Sequence, residues 1–486
     1  MKIRKVLLAI VVIASIASVG RFLFFEYTLL SYPYQWNSGE ALSLSHALIL
    51  LDGESIYTTA NAPPLIVEAY GPVHPYLVAP FVAIFGNSLL APRLLSFLCY
   101  FAIMLIIAGA VLNYTSSWPF AMISLGLNTF MLHNWVQILV SRPDVLGALF
   151  LLTLLVLHQK YPYHRLAIGI GITLGLLAFF TKVYFACGFG SVVLSYWFIH
   201  KDRRAAITYA LTTALLLGAS FLIFNTITGN LYKIFSFELM RSWVTEFSFN
   251  WMFSNIKGLA SYYLPLFFLI IYNITKKRFD WCRYGVYLTH LLLCFPIMAF
   301  FLLNRGGGFY YWFSVVIVLL IIGCDQLSAE YRDPKSQVIV PVLIMILMVM
   351  FIRVGIRDTL KNKLVFPSAS LAAKWLPLEE KITRTDGLIL NNDLTTILNI
   401  RAGRKLFMDG LGYSRNASYL AKHYNFSFPD LNEAVAAKTF AMIINPEEAI
   451  TAEVAKHYHL TESYTVPDYL GKNWTELNVF VPKETP

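Results

Sequence analysis

The sequence predicts an α-helical polytopic membrane protein that carries a small soluble α/β domain at its C-terminus. Three observations predict it. Of 486 residues, 57% are apolar and 14% charged, and the mean hydropathy is +0.60, which is more apolar surface than a water-soluble chain of this length can bury. The apolar residues fall in helix-length runs as far as residue 355. Beyond that point charge is balanced, with 15 Lys/Arg and 15 Asp/Glu over 356–486, so the whole +10 excess belongs to residues 1–355.

Each element follows in order. The basic start MKIRK leads into an apolar stretch from Val6 to Phe25. It has the outline of a signal peptide but no small-residue cleavage site after it, so it reads as an uncleaved first span. Further runs lie at 76–86, 93–112, 118–138, 145–158, 166–181, 183–199, 206–224, 259–273, 285–303, 309–323 and 337–355. The run at 76–86 is too short to cross a bilayer and reads as re-entrant or interfacial, leaving about eleven transmembrane helices. Loop charge gives the threading. With the N-terminus in the cytoplasm, alternate loops carry Lys2/Arg4/Lys5, Lys160/Arg165, Lys201/Arg203/Arg204, Lys276/Lys277/Arg278/Arg283 and Arg332/Lys335, whereas residues 26–92 contain no Lys or Arg. Cytoplasmic loops collect Lys and Arg, so the 26–92 loop, the 225–258 loop and the C-terminal domain are expected outside the cytoplasm. The basic excess is therefore an orientation signal. No basic stripe interleaved with aromatics points to nucleic acid.

Residues 356–486 form the expected soluble domain. GLILNN, KLFMDG and FAMIIN read as short buried strands, DLTTILNI, NASYLAKHY and PDLNEAVAAK have helical spacing, and ESYTVPDYLGKNWTELNVFV reads as a closing hairpin. The five cysteines (Cys99, Cys187, Cys282, Cys294, Cys324) lie in or beside apolar segments without a CxxC or a Cys/His cluster along the chain. That spacing supports neither a disulfide framework nor a cysteine-ligated zinc motif.

Chemistry has several candidate places. The 26–92 loop holds five carboxylates, Glu26, Glu40, Asp52, Glu54 and Glu68, without one cation. Within it, residues 38–51 read as an amphipathic helix lying along the membrane surface, with Leu42, Leu44, Leu48 and Leu51 on its apolar side. Glu40 begins that helix, and Ser43 and His46 follow at three-residue steps on the polar side. A carboxylate at the lipid–water boundary is placed to act as a general base. Asn37 and Glu40 also have capping-box spacing, a purely structural use of the same acid. In SRPD, residues 141–144, Pro143 suits the first helical position and Asp144 the positive helix end. Arg142 does not suit a helix N-terminus, nor does Arg93 just after Pro92. Lys182, in FFTKVYF, ends a span and suits snorkelling. Arg305, in LNRGGGFYYWF, stands beside a triple glycine that is no P-loop. Arg93, Arg142, Lys182 and Arg305 share one membrane face near the acidic loop, and a phosphate carried on a lipid is the anion that unites them.

At these residues the chain resembles a known family. YPYQWNSGEALSLSHALILLDGESIY and AYGPVHPYLVAPFVAIFGNSLLAPRLLS, then SRPDVLGALF, FFTKVYF and GLILNNDLTTILNIRAGRKLFMDG, are similar to elements of bacterial membrane glycosyltransferases of the family 39 type, relatives of protein O-mannosyltransferases and the lipid A aminoarabinose transferase. The resemblance implies a GT-C-like fold in the bacterial inner (plasma) membrane with an external active site. It implies inverting transfer from a polyprenyl-phosphate sugar donor to an envelope lipid, glycan or protein. Glu40 then becomes the candidate general base or a metal-facing carboxylate, and Asp144 the second catalytic acid. Arg93, Arg142, Lys182 and Arg305 become donor-phosphate ligands, and His46, Tyr70, His74 and Tyr310 contact substrate. The family's Asp-Glu pair is here Gly39–Glu40, which puts a two-carboxylate site for a divalent metal in doubt, and His74 stands where an aromatic or small apolar residue is more usual. A transporter or flippase for lipid-linked sugars is the alternative, but transporters favour paired inverted halves and mid-membrane charges. A non-catalytic scaffold has no need of the long cation-free loop.

Overall fold

Apolar runs become helices wherever the backbone must satisfy itself in lipid, because a helix closes all its hydrogen bonds within one segment. The computed structural model describes residues 2–484 except 38, 59–64, 66–67, 133–135, 137–138, 240–246, 305–307, 337, 361–363, 405, 409–418, 421, 425–429, 447 and 472. The helices are α1 (Lys2–Ser31), α2 (Gly39–Leu51), α3 (Val73–Phe85), α4 (Leu90–Thr115), α5 (Trp118–Thr129), α6 (Pro143–Lys160), α7 (Arg165–Phe179), a 3-10/α/π composite α8 (Val183–Ile199), α9 (Arg203–Ile227), α10 (Phe249–Thr275), α11 (Gly285–Phe301), α12 (Phe313–Arg332) and α13 (Ile339–Leu360). Side-chain caps start some of them. Asp202 accepts from the Ala205 N–H at 2.9 Å to open α9, and Ser248 accepts from the Trp251 N–H at 3.2 Å to open α10.

Among the described residues, seven helices are long and apolar enough to cross a membrane, and five shorter apolar ones accompany them. The segment Phe309–Arg332, which ends in α12, is 94% buried, whereas Arg203–Ile227 is 11% buried. α12 is therefore the central post, packed against α4, α5, α6, α10 and α11, and α9 is a lipid-facing outer helix.

The first loop departs from expectation at both ends. α1 continues to Ser31, so Glu26 lies inside a helix, fully buried, with both carboxylate oxygens lacking a hydrogen-bond partner. The helix expected at 38–51 forms, but α2 is buried on nearly every side rather than lying flat on a surface. It is enclosed by α3, α4 and a short C-terminal helix, Thr396–Arg401. That cover explains why the apolar spacing alone misjudged its surroundings.

The C-terminal domain builds one four-stranded sheet from β1 (Leu388–Leu390), β2 (Phe440–Ile444), β3 (Tyr458–Pro467) and β4 (Trp474–Pro482), in the order β1-β2-β4-β3. β1 and β2 are parallel, and the expected closing hairpin pairs Tyr458 with Pro482 through to Pro467 with Trp474. Of KLFMDG, the described residues Leu406, Phe407 and Met408 form no strand, and Met408 makes one isolated bridge to Leu65 of the first loop. Of NASYLAKHY, residues 416–418 and 421 fall outside the described residues, and Tyr419, Leu420, Lys422, His423 and Tyr424 are helical. The domain grips the chain just before α2. Tyr34 donates to Glu379 Oε2 at 2.6 Å and stacks on Trp375, Gln35 Oε1 accepts the Ile397 N–H at 3.1 Å, and Arg401 donates to the Pro33 carbonyl at 3.1 Å.

Candidate active site

The start of α2 is set by a reciprocal capping box. Asn37 Oδ1 accepts the Gly39 N–H at 3.2 Å, and Glu40 reaches back to the N–H groups of Asn37, at 3.1 Å, and Trp36. Glu40 is fully buried, and Arg93 closes on it with Nε–Oε1 at 2.6 Å and Nη2–Oε2 at 3.0 Å. The remaining Arg93 donors go to the carbonyls of Leu29, Tyr32 and Tyr34. Glu40 thus spends both oxygens on a cation and two backbone amides, a structural use of the acid expected as general base. Arg93 has no donor to spare for a phosphate and is 0% exposed. The pair fixes the α1–α2 turn against α4.

The N-terminal end of α6 behaves as SRPD implied. Arg142 is extended at the N-cap, Pro143 occupies the first turn, and Asp144 follows it. Lys182 does not snorkel. It is 5% exposed, its Nζ lies 2.8 and 2.9 Å from the two Asp144 oxygens, and it sits 4.4 Å from the Tyr70 ring centroid and 5.7 Å from those of Tyr184 and Tyr310. The Tyr184 hydroxyl donates to Asp144 Oδ1 at 2.7 Å. Asp144, expected as a second catalytic acid, is thus also the counter-ion of Lys182 in an ion pair walled by aromatic faces. Arg142 stays half-buried, donates to Asn37 Oδ1 at 3.1 Å and lies 5.6 Å from the centre of the Tyr310 ring. Tyr310 thereby touches both cations. Arg305 lies outside the described residues.

Gly71 brings the first loop onto these groups. A Cβ there would stand 1.7 Å from the Phe180 carbonyl oxygen, and the Gly71 and Val73 N–H groups donate to the carbonyls of Thr181 and Phe180. Only glycine allows that approach. The result is a cavity of about 510 Å³, counting its open mouth, bounded by Gly39, Ser43, His46, Glu68, Tyr70, His74 and Arg142. Three of the expected substrate contacts, His46, Tyr70 and His74, therefore share one cavity with Arg142.

Glu68 is the residue that sequence reasoning missed. It entered only as one carboxylate in an acidic loop, and no motif marks it. It is 4% exposed, its Oε2 lies 2.5 Å from His46 Nδ1, and its Oε1 accepts the Tyr70 N–H at 2.7 Å. A carboxylate–imidazole pair facing a cavity is arranged to hold and pass a proton. His74 is in α3, too short to span, and burial pulls its imidazole down to about 4, so it is neutral at neutral pH. Its Nε2 is buried without a hydrogen-bond partner. Burial pushes the Tyr70 hydroxyl up to about 12, so it stays protonated. Of the two acids the sequence offered for a metal, Glu40 is paired with Arg93 and Asp144 with Lys182.

No protein-family model and no curated protein matches the sequence. Solved structures do match the fold. ArnT from Cupriavidus metallidurans superposes with a TM-score of 0.63 in the apo state and 0.64 bound to undecaprenyl phosphate, at 12% and 13% identity, covering 96% of this chain and 97% of that one. The Archaeoglobus fulgidus oligosaccharyltransferase matches with a TM-score of 0.55 in the apo form, at 11% identity over 97% of this chain and 74% of that one. Its complex with an inhibitory peptide and a dolichol-phosphate matches at 0.54. The chain therefore shares the fold of ArnT and of the oligosaccharyltransferase, in agreement with the GT-C-like fold that the sequence resemblance implies.

Proposed function

We propose that this chain is a membrane glycosyltransferase that moves a sugar from a polyprenyl-phosphate-linked donor to a hydroxyl of an acceptor lipid, glycan or protein outside the cytoplasm. One observation carries the reading: a helix-start cation, Arg142, and a buried carboxylate–imidazole pair, Glu68–His46, face the same cavity. The ligands of the two structural neighbours, undecaprenyl phosphate and a dolichol-phosphate, support a lipid-phosphate donor.

The chemistry is a displacement at the anomeric carbon. The acceptor hydroxyl gives its proton to Glu68, whose charge His46 shares. The acceptor oxygen attacks as the bond from the sugar to the phosphate oxygen breaks, with inversion. Polyprenyl phosphate leaves as an anion, and Arg142 stabilises the charge that develops on it. Lys182 has three N–H donors, of which Asp144 occupies two, so the third is available to the same phosphate. Tyr70 and Tyr310 keep water from this pair, which strengthens its field.

The test incubates the purified full chain with a panel of radiolabelled polyprenyl-phosphate sugars and envelope extract. Label should pass to an acceptor with release of polyprenyl phosphate, and Arg142→Ala should lower the rate by about 10²–10³. A folded protein that consumes no donor but moves labelled donor across vesicle bilayers is a transporter, and the proposal fails.

A further inference from the structure

We propose that Cys187, His290 and Cys294 form a metal site inside the helix bundle that takes one soft or borderline cation, Zn²⁺ or Cu⁺. Cys187 comes from α8, and His290 and Cys294 stand four residues apart on one face of α11. Cys187 is 7% exposed and the other two 0%. Their ligand atoms all lie within 4.8 Å of one another, and among the described residues this is the one His/Cys/Asp/Glu group so spaced.

The two sulfurs are 3.8 Å apart. That is too far for a disulfide, whose sulfurs are about 2.05 Å apart. It equals the separation of two thiolates bound tetrahedrally at about 2.3 Å from one zinc, about 3.8 Å. Two thiols in plain contact stand at a similar distance, so the imidazole decides. The Ser191 hydroxyl donates to the Cys187 carbonyl at 2.7 Å, and His290 Nδ1 lies 3.0 Å from the same Ser191 oxygen. With its hydrogen spent, Ser191 accepts from Nδ1–H, and the ring is the tautomer whose Nε2 bears a lone pair. That Nε2 is buried, and apart from the neighbouring Cys294 thiol, with which His290 interacts, it has no hydrogen-bond partner. An Nε2 whose opposite nitrogen is fixed by an outer hydrogen bond is the arrangement of a metal-ligating histidine.

The remaining chemistry agrees. Thiolate and imidazole ligands select Zn²⁺ or Cu⁺ over Mg²⁺ or Ca²⁺. Two thiolates neutralise a dication, so zinc adds no net charge among apolar helices, where net charge is costly. Binding releases the two thiol protons. Ser314 Oγ, 3.3 Å from Cys294 Sγ, is placed as fourth ligand or as a donor to that thiolate. The metal would staple α8 to α11 just beyond Lys182, stiffening the segment that holds the Lys182–Asp144 pair. The spacing along the chain hides all of this, because the ligands come from two helices about a hundred residues apart and only HLLLC is local.

The test measures metal in the full chain, purified without chelators from cells grown with added zinc, by elemental mass spectrometry. About one equivalent per chain is expected, lost in Cys187→Ser and Cys294→Ser and kept in Cys282→Ser. Ser191→Ala should weaken Zn²⁺ affinity by about 10–100-fold. Because the cysteine variants can misfold, the wild-type chain is also produced in zinc-poor medium with Co²⁺, which should give tetrahedral cobalt bands with sulfur-to-metal charge transfer. The proposal is overturned by a folded wild-type chain that retains and takes up neither Zn²⁺ nor Cu⁺ and shows no cobalt–sulfur band. It is equally overturned by metal content unchanged in the double cysteine variant.

Discussion

Glu40→Gln separates a structural acid from a catalytic one. In the wild type the Glu40 carboxylate accepts from Arg93 Nε at 2.6 Å, from Arg93 Nη2 at 3.0 Å, and from the amides of Asn37 and Trp36. A glutamine keeps one oxygen, and its NH₂ group must face either a guanidinium donor or a backbone N–H. If the nitrogen replaces Oε1, the Arg93 Nε bond is lost; if it replaces Oε2, the Nη2 bond and both backbone bonds are lost. The surviving Arg93 bond no longer meets a charged acceptor. Each Arg93 bond is worth about 1.5–3 kcal/mol, and Arg93 stays buried without its counter-charge. That sum agrees with the roughly 3–5 kcal/mol lost when one partner of a buried pair is removed. Thermal and chemical-denaturant unfolding of the purified chain should therefore show a large loss of stability. Sugar transfer by the folded fraction, measured at low temperature, should stay within about tenfold of wild type, since no proton passes through Glu40. The double variant Arg93→Met/Glu40→Gln should recover part of the stability. A Glu40→Gln protein as stable as wild type whose transfer falls by about 10²–10⁴, the range of a lost general base, would refute this reasoning.

Three further outcomes are expected. Lys182→Met leaves Asp144 buried and unpaired and should cost roughly 3–5 kcal/mol of stability; Lys182→Met/Asp144→Asn should restore stability but not transfer, as read by unfolding and donor turnover on one preparation. Gly71→Ala forces a methyl into the Phe180 carbonyl and should cost about 1–3 kcal/mol; wild-type stability and rate in that variant would contradict the packing. His74 has its pKa lowered by burial from 6.5 to about 4, so the unfolded state binds its proton first on acidification. The stability contribution of this residue is full above pH 6.5 and is lost as pH falls towards 4, by up to about 3 kcal/mol at 1.36 kcal/mol per unit. His74→Phe should flatten the fall of the melting temperature over that window, and equal slopes in the two proteins would contradict the buried neutral ring.

The sequence carried the architecture because lipid imposes its own grammar. Long apolar runs must be helices, and the stretch ESYTVPDYLGKNWTELNVFV marked the hairpin. The residue types at the site were legible for a similar reason: Arg142 at a helix start and an acidic loop without cations are locally unfavourable patterns. What was not legible is who pairs with whom. Arg93 and Glu40 are 53 positions apart, and no spacing foretells that they neutralise each other. Glu68 looked like any loop acid until Gly71 folded the loop onto the Phe180 turn and set it against His46. The same limit hid Cys187, His290 and Cys294 from any motif.

The most direct test of the account is donor turnover by the purified wild type and by Glu68→Gln, each with and without acceptor. The wild type should release polyprenyl phosphate and label the acceptor. Glu68→Gln, folded and still binding donor, should turn over about 10²–10⁴-fold more slowly. Undiminished transfer by Glu68→Gln would contradict the proton-accepting role of the Glu68–His46 pair, and a wild type that consumes no donor from the panel would contradict the transferase itself.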